Sequence, residues 1–256
     1  MKQTAALGSL ALALSFALIL TGCSGGESSD SNGGCDGDCN NPSSFLTVSD
    51  VEQILAQAIQ EAQAQGQDAT IAVVDRVGNT LAVYRMGAAS DRSVLIATET
   101  DASGDAVIDS GLEGIALPTT GVALNIDDQA AIAKAVTGAY LSSEGNAFSS
   151  RTASQIVQEH FNPGEQNQPG GPLFGVQFSQ LSCSDFTVDD PLSSHGPKRS
   201  PLGLSADPGG LPLYKNGVPV GGIGVMADGL YSIDKTITDN DLNVDELIAL
   251  AGTANF

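Results

Sequence analysis

Basic side chains are scarce in this chain. Ten Lys and Arg stand against 30 Asp and Glu, for a net charge of −20. Neutralising a phosphate backbone needs clustered Lys and Arg, so this balance excludes nucleic acid as a partner. Histidine is scarcer still, with two in 256 residues. The sequence holds no HExxH pair, no nucleophile elbow and no histidine that can be grouped into a serine triad. Cysteine occurs four times. Cys35 and Cys39 share a CDGDC segment that would close a small disulfide loop in an oxidising compartment. No further ligand types flank them, which argues against a metal site there. Cys183 stands alone and reads as a buried thiol.

The chain starts with an address. Met1 and Lys2 give a short positive start, residues 5–20 are mostly apolar, and Leu20-Thr21-Gly22-Cys23 follow. That order is a secretory signal and not a spanning helix. Its ending resembles the lipobox of bacterial lipoproteins, which implies lipidation of Cys23 after removal of residues 1–22. Ser24 in place of an aspartate implies outer-membrane sorting, so the expected location is the cell envelope, with palmitate-type anchoring and the folded part facing the periplasm or the cell surface. Residues 23–44 are Gly, Ser, Asn and Asp with too little apolar material to fold, and read as a flexible tether. Residues 45–256 have the length and the aliphatic content of one folded domain.

Within that domain, apolar residues recur at helical spacing over 47–65, with Thr47 and Asp50 as a capping pair and Gly66 as the stop. Two β-rich runs, 69–76 and 80–86, flank Gly78-Asn79 and predict a hairpin. The first, TIAVVD, is apolar on both faces and is expected inside the sheet. Residues 88–123 carry six acids and one base among Gly, Ser and Thr, and read as a long surface excursion. Helices are expected over 127–143 and 149–160, the second ended by Asn162-Pro163-Gly164. A strand is expected over 173–181, inside a second irregular stretch, 164–207. Leu211 to Lys215 and Val218 to Met226 flank Asn216-Gly217, the strongest short-range hairpin signal in the chain. Pro212 and Pro219 are expected at edges or strand ends, and the last helix over 241–252. Hairpins alternating with helices predict an α+β fold: a central antiparallel sheet with helices packed on it.

Candidate sites follow from residue type. Gly222-x-Gly224-x-x-Ala227 matches a dinucleotide fingerprint in form only, because its glycines lie inside a hairpin arm and no helix follows. Glycine in a strand marks a close approach of backbone or ligand. Asp239-x-Asp241-x-Asn243-x-Asp245 offers alternating oxygen ligands, but Val244 and Leu250 occupy places that an EF-hand reserves for glycine and an acid. The other reading is a helix start enriched in acids. His160, on the stripe Ala153, Ile156, Val157, is a candidate iron ligand, and His195 in the loop SSHGPKRSPLG is a second. Lys198 and Arg199, the only adjacent basic pair, would attract a carboxylate.

Three segments together resemble the GlcG/HbpS family of haem-binding proteins, related to the C-terminal domain of PduO-type proteins. They are ATIAVVDRVGNTLAVYRM (69–86), AAIAKAVTGAYLSS with SSRTASQIVQEHF (130–143 and 149–161), and GGLPLYKNGVPVGGIGV (209–225). The resemblance implies a profilin-like layered domain, self-association and, in some members, binding or slow breakdown of haem. It makes 88–123 and 164–207 insertions. No shared histidine ligand transfers from the family, so the four polar candidates rest on this sequence alone. The expected function is an envelope-anchored protein that binds haem or a related tetrapyrrole. Iron would meet His160 or His195, Lys198 and Arg199 would lie near the propionates, and the glycine strand would admit a flat ring. The alternatives are a cofactor-free sensory or interaction domain and, last because no acid–base constellation is evident, a weak haem-degrading enzyme.

Overall fold

The computed structural model describes residues 44–87, 93–96, 99–100, 106–107, 116–118, 125–157, 202–233 and 242–256. Helix α1 (Val48–Gln65) begins where the sequence satisfies orphan amides. Thr47 Oγ1 accepts from the Asp50 amide, and the Asp50 carboxylate accepts from the Thr47 amide at 2.6 Å. This reciprocal pair is the expected capping box. Gly66, at φ 70, closes the helix by donating to the Ala62 and Gln63 carbonyls.

Strands β1 (Thr70–Asp75) and β2 (Thr80–Arg85) form the first hairpin. Asp75 closes its turn, its Oδ1 accepting from the amides of Val77 and Asn79 at 3.0 and 2.8 Å. Strands β7 (Gly210–Lys215) and β8 (Val218–Met226) form the second. It turns through Asn216 (φ 52) and Gly217 (φ 81), both left-handed as a two-residue type I′ turn requires. β8 then pairs with β1, so the sheet runs β2-β1-β8-β7 with every neighbour antiparallel. The sequence expectation of an interior β1 holds. Pro212 lies in an edge strand and Pro219 beside a hairpin turn, where a missing donor costs little.

Side chains alternate across this sheet. Ile71, Val73, Ile223 and Val225 pack against α1 and α4 (Val244–Gly252). Ala72, Val74 and Met226 pack against α2 (Ile126–Leu141). Two helices on one face and one on the other bury β1 from Thr70 to Val74 without interruption. Each fully buried Val or Ile there contributes about 1.5–3 kcal/mol. The fold is α+β, layered as the sequence led us to expect.

The face carrying α2 is unusually close. A Cβ at Gly222 or Gly224 would collide with the carbonyls of Ala135 and Ala131, and one at Gly138 would meet the Leu211 carbonyl carbon at 2.6 Å. Ala130, Ala131, Ala133, Ala135 and Ala139, all buried, let the helix settle backbone to backbone on the strands. The glycine run is therefore a packing surface. The expectation that it admits a flat ring is corrected, because α2 occupies that face.

Other expectations are refined. The acidic excursion carries β3 (Ser93–Ile96), β4 (Glu99–Thr100), β5 (Ala106–Val107) and β6 (Ala116–Pro118). β3 pairs with β6 and, in parallel, with β9 (Leu230–Tyr231), and Val94 enters the core beneath α2. The second stretch also ends inside, where Leu202 and Asp207 are buried. Helix α3 (Ser150–Val157) follows a sharp break after α2. α4 starts later than expected, because the Asn243 side chain caps it by accepting from the Glu246 amide at 3.0 Å. The strand expected over 173–181 lies outside the described residues. Among the described residues, no helix is long and apolar enough to cross a membrane.

Candidate functional site

His160, His195, Lys198, Arg199 and the lipidation candidate Cys23 all lie outside the described residues, as do Cys35, Cys39, Cys183, Asp239 and Asp241. Two other places within the described part hold chemistry. One is a buried charge cluster, the other a groove beside β2.

The cluster centres on Lys134 of α2, whose side chain is fully buried. Its Nζ lies 2.6 Å from Asp245 Oδ2 on α4 and 2.5 Å from Asp207 Oδ2, just before β7. Met226 Sδ is 3.5 Å away. The carboxylates are tied down in turn. Asp245 Oδ1 accepts from the Ala227 and Asp228 amides at 2.8 and 3.1 Å, and Asp207 Oδ1 accepts from the Ser232 amide at 2.9 Å. The cluster thus joins α2, α4, the start of β7 and the chain after β8. The calcium reading of Asn243 and Asp245 is corrected here, since the first caps α4 and the second is committed to Lys134.

Its electrostatics follow from burial. Burial alone would lower Lys134, but Asp207, Asp245 and Asp228 reverse this and hold the ammonium charged well above the ordinary lysine range. Burial pushes Asp207 up to about 8 and Asp245 up to about 7, against the pull of Lys134. A lysine held this firmly in its charged form is no nucleophile, and one with no exposure meets no substrate. Perturbed titration often marks a functional site. Here the geometry assigns the cluster to architecture. Sequence reasoning missed it, because Lys134 reads as one polar residue on a small-residue helix and its partners lie 73 and 111 positions onward.

The groove, about 740 Å³ in volume, lies between the end of α1 and the end of β2. Ile59, Gln63, Gly66, Gln67, Asp68, Tyr84, Arg85, Met86, Gly87 and Ala227 line it. That volume is within the range of small-molecule sites, roughly 300–1,000 Å³. Tyr84 is partly exposed, whereas Met86 is buried. A phenol and a thioether are both side-chain types that ligate haem iron. Arg85 is held in a two-pronged pair with Asp128 of α2, Nε to Oδ1 and Nη2 to Oδ2. The carbonyl end of α1 and Asp68 bias the groove toward negative potential. Among the described residues, no group of three or more His, Cys, Asp or Glu is arranged to hold a metal ion.

Residues 46–102 match the family model described as Haem degrading protein HbpS-like. The match takes in α1 and the first hairpin, and so one of the three segments, 69–86, that carry the resemblance in the sequence. No curated protein sequence matches the chain. Solved structures that resemble it distantly include the following three. A haem complex of PduOC superposes with a TM-score of 0.44 at 17% identity, covering 83% of this chain and 95% of that one. Klebsiella pneumoniae protein ORFY gives 0.43 at 18% identity, covering 82% and 89%. A double mutant of Streptomyces reticuli HbpS gives 0.41 at 20% identity, covering 84% and 88%.

Proposed function

We propose that this protein is an envelope-anchored, self-associating binder of haem or a related tetrapyrrole, with the groove beside β2 as the seat of the ring. The observation that carries the reading is the family match over residues 46–102, because nine of the ten residues lining the groove fall within that segment. Bound haem would supply an iron centre and a flat apolar ring bearing two carboxylates. Ile59, Met86 and Ala227 would give the ring apolar contact, and Tyr84, which also lines the groove, would offer its hydroxyl to the iron. His160 and His195 remain the sequence's own candidates to hold the iron. The negative bias of the groove leaves the propionates in need of bases from elsewhere, a role that suits Lys198 and Arg199. Cys23 would carry the lipid anchor, with residues 24–44 as the tether to an outer-membrane position.

A hemin titration tests the reading directly. The wild-type chain is expected to shift the Soret band on binding. Tyr84→Ala and either His160→Ala or His195→Ala are expected to weaken binding roughly tenfold or more, a change of about 1.4 kcal/mol. A wild-type chain that leaves the hemin spectrum unchanged overturns the function. A shift that all three variants reproduce in full overturns the site. Labelled palmitate is expected on the wild-type chain and not on Cys23→Ser.

A further inference from the structure

The two outer strands of the sheet are managed very differently. β7 carries Pro212, which offers no donor, and Lys215, whose Nζ bonds the Phe45 carbonyl. The Gly210 amide donates to Ser150 Oγ of α3 at 2.7 Å, so this edge is also partly covered. β2 lacks both, and its one irregularity is the register shift at Leu81, where Val73 faces Ala82 and Val74 faces Thr80. It holds no proline and no lysine, and no described strand pairs with its outer side. Leu81, Val83 and Tyr84 are 42%, 36% and 44% exposed, a concentration of apolar surface on one short strand. An exposed apolar edge of this kind is a template for strand pairing.

We infer that β2 pairs antiparallel with β2 of a second copy about a two-fold axis at Val83, joining two sheets into one. This deepens the self-association part of the proposed function by naming its surface. The register follows from hydrogen bonding. Met86 N donates to Ala69 O, and hydrogen-bonded positions alternate along an antiparallel pair. Ala82 and Tyr84 therefore bond toward β1, while Val83 directs its N–H and C=O outward. An axis at Val83 sets Val83 opposite its own copy and Ala82 opposite Tyr84 of the second copy, within the regular part of the strand that ends at the register shift at Leu81. Charge supports a copy of this chain as the occupant. In a chain of net charge −20, β2 carries no acid, and its single base is already matched by Asp128. Two copies can therefore meet along β2 without placing like acids across the pair, whereas an acidic surface opposes approach elsewhere. Tyr84 and Ala82 share the α1 face of the sheet, so pairing would bring the two ligand grooves onto one continuous face.

The test uses the full chain with Cys23, Cys35, Cys39 and Cys183 replaced by serine, carrying Val83→Cys. Residues directly opposite at a hydrogen-bonded position lie about 5.5 Å apart between Cα atoms, within disulfide range. Oxidation is expected to yield a covalent dimer in high yield, and Leu81→Cys in the same background far less. In a second measurement free of the cysteine background, Val83→Lys places two lysines face to face on the axis. Sedimentation should then show a rise of about tenfold or more in the dissociation constant, with an unchanged circular dichroism spectrum. A wild-type chain that stays monomeric at high concentration overturns self-association altogether. A wild-type oligomer whose mass Val83→Lys leaves unchanged, with no Val83→Cys dimer, overturns the β2 interface alone. A β2 edge protected only by strands of other proteins would appear as a monomeric chain and overturns it too.

Discussion

β8 and β2 both pair with β1, yet eight of the nine residues of β8 are buried and five of the six in β2 are exposed. On β8, glycine and alanine bring α2 down to backbone contact, and the Lys134 cluster locks the neighbouring segments from within. Between β8 and α2 there is no room for a ligand. On β2, Leu81, Val83 and Tyr84 are exposed, a groove opens at one end, and no described strand pairs with the outer edge. The contrast gives one half of the sheet to architecture and leaves the other as the side on which the proposed recognition would take place. It also explains why the glycine run, the most patterned part of the sequence, is a packing surface for α2.

The sharpest way to break the β8 side is Gly224→Val. The new side chain would meet the Ala131 carbonyl and the Ala135 amide, backbone atoms that cannot swing aside. We expect a loss of about 4–5 kcal/mol in urea unfolding, or no soluble fold. Lys134→Met comes next. It leaves the Asp207 and Asp245 carboxylates buried without their cation, at an expected cost of about 3–4 kcal/mol at pH 8. Acidification should recover part of that loss, since protonated carboxyls no longer need the cation.

The wild-type cluster has its own dependence on pH. Asp207 and Asp245 titrate at about 8 and about 7 in the folded protein, against an ordinary value of 3.8. The folded state therefore holds more protons than the unfolded state between these values. The stability present below the ordinary value is lost as pH rises through the window from about 4 to 8. Asp207→Asn should make that decline shallower by up to about 1.4 kcal/mol per pH unit, as read from unfolding midpoints across the range. On the β2 side, by contrast, Leu81→Thr should change the stability of the single chain by no more than about 0.5 kcal/mol. A large loss there would mean that β2 is structural after all.

Local features of the fold were legible in the sequence because they rest on short spacings. The Thr47–Asp50 cap, the Gly66 stop and the Asn216-Gly217 turn each depend on residues within a few positions of one another, and each stands where the pattern put it. The order of the strands did not follow from pattern, although the apolar character of TIAVVD on both faces did place β1 inside. Val94 looked like part of a polar excursion, since its strand is four residues long, too short for alternation to register, in a stretch rich in acids. The Lys134 cluster was invisible for a different reason. Its members are each ordinary in local context, and only the tertiary fold brings Asp207 and Asp245 to one ammonium group. The groove joins residues of α1 and β2 that sequence periodicity assigns to separate elements. Its negative end comes from helix carbonyls that have no one-letter code.

The central claim is that recognition lies on the β2 side of the sheet. Hydrogen–deuterium exchange of the full chain with and without hemin tests it most directly. The account predicts slowed exchange over residues 59–68 and 84–87 on hemin addition, with residues 218–226 unchanged because they are already protected beneath α2. Slowing confined to residues outside 59–68 and 84–87 would contradict it.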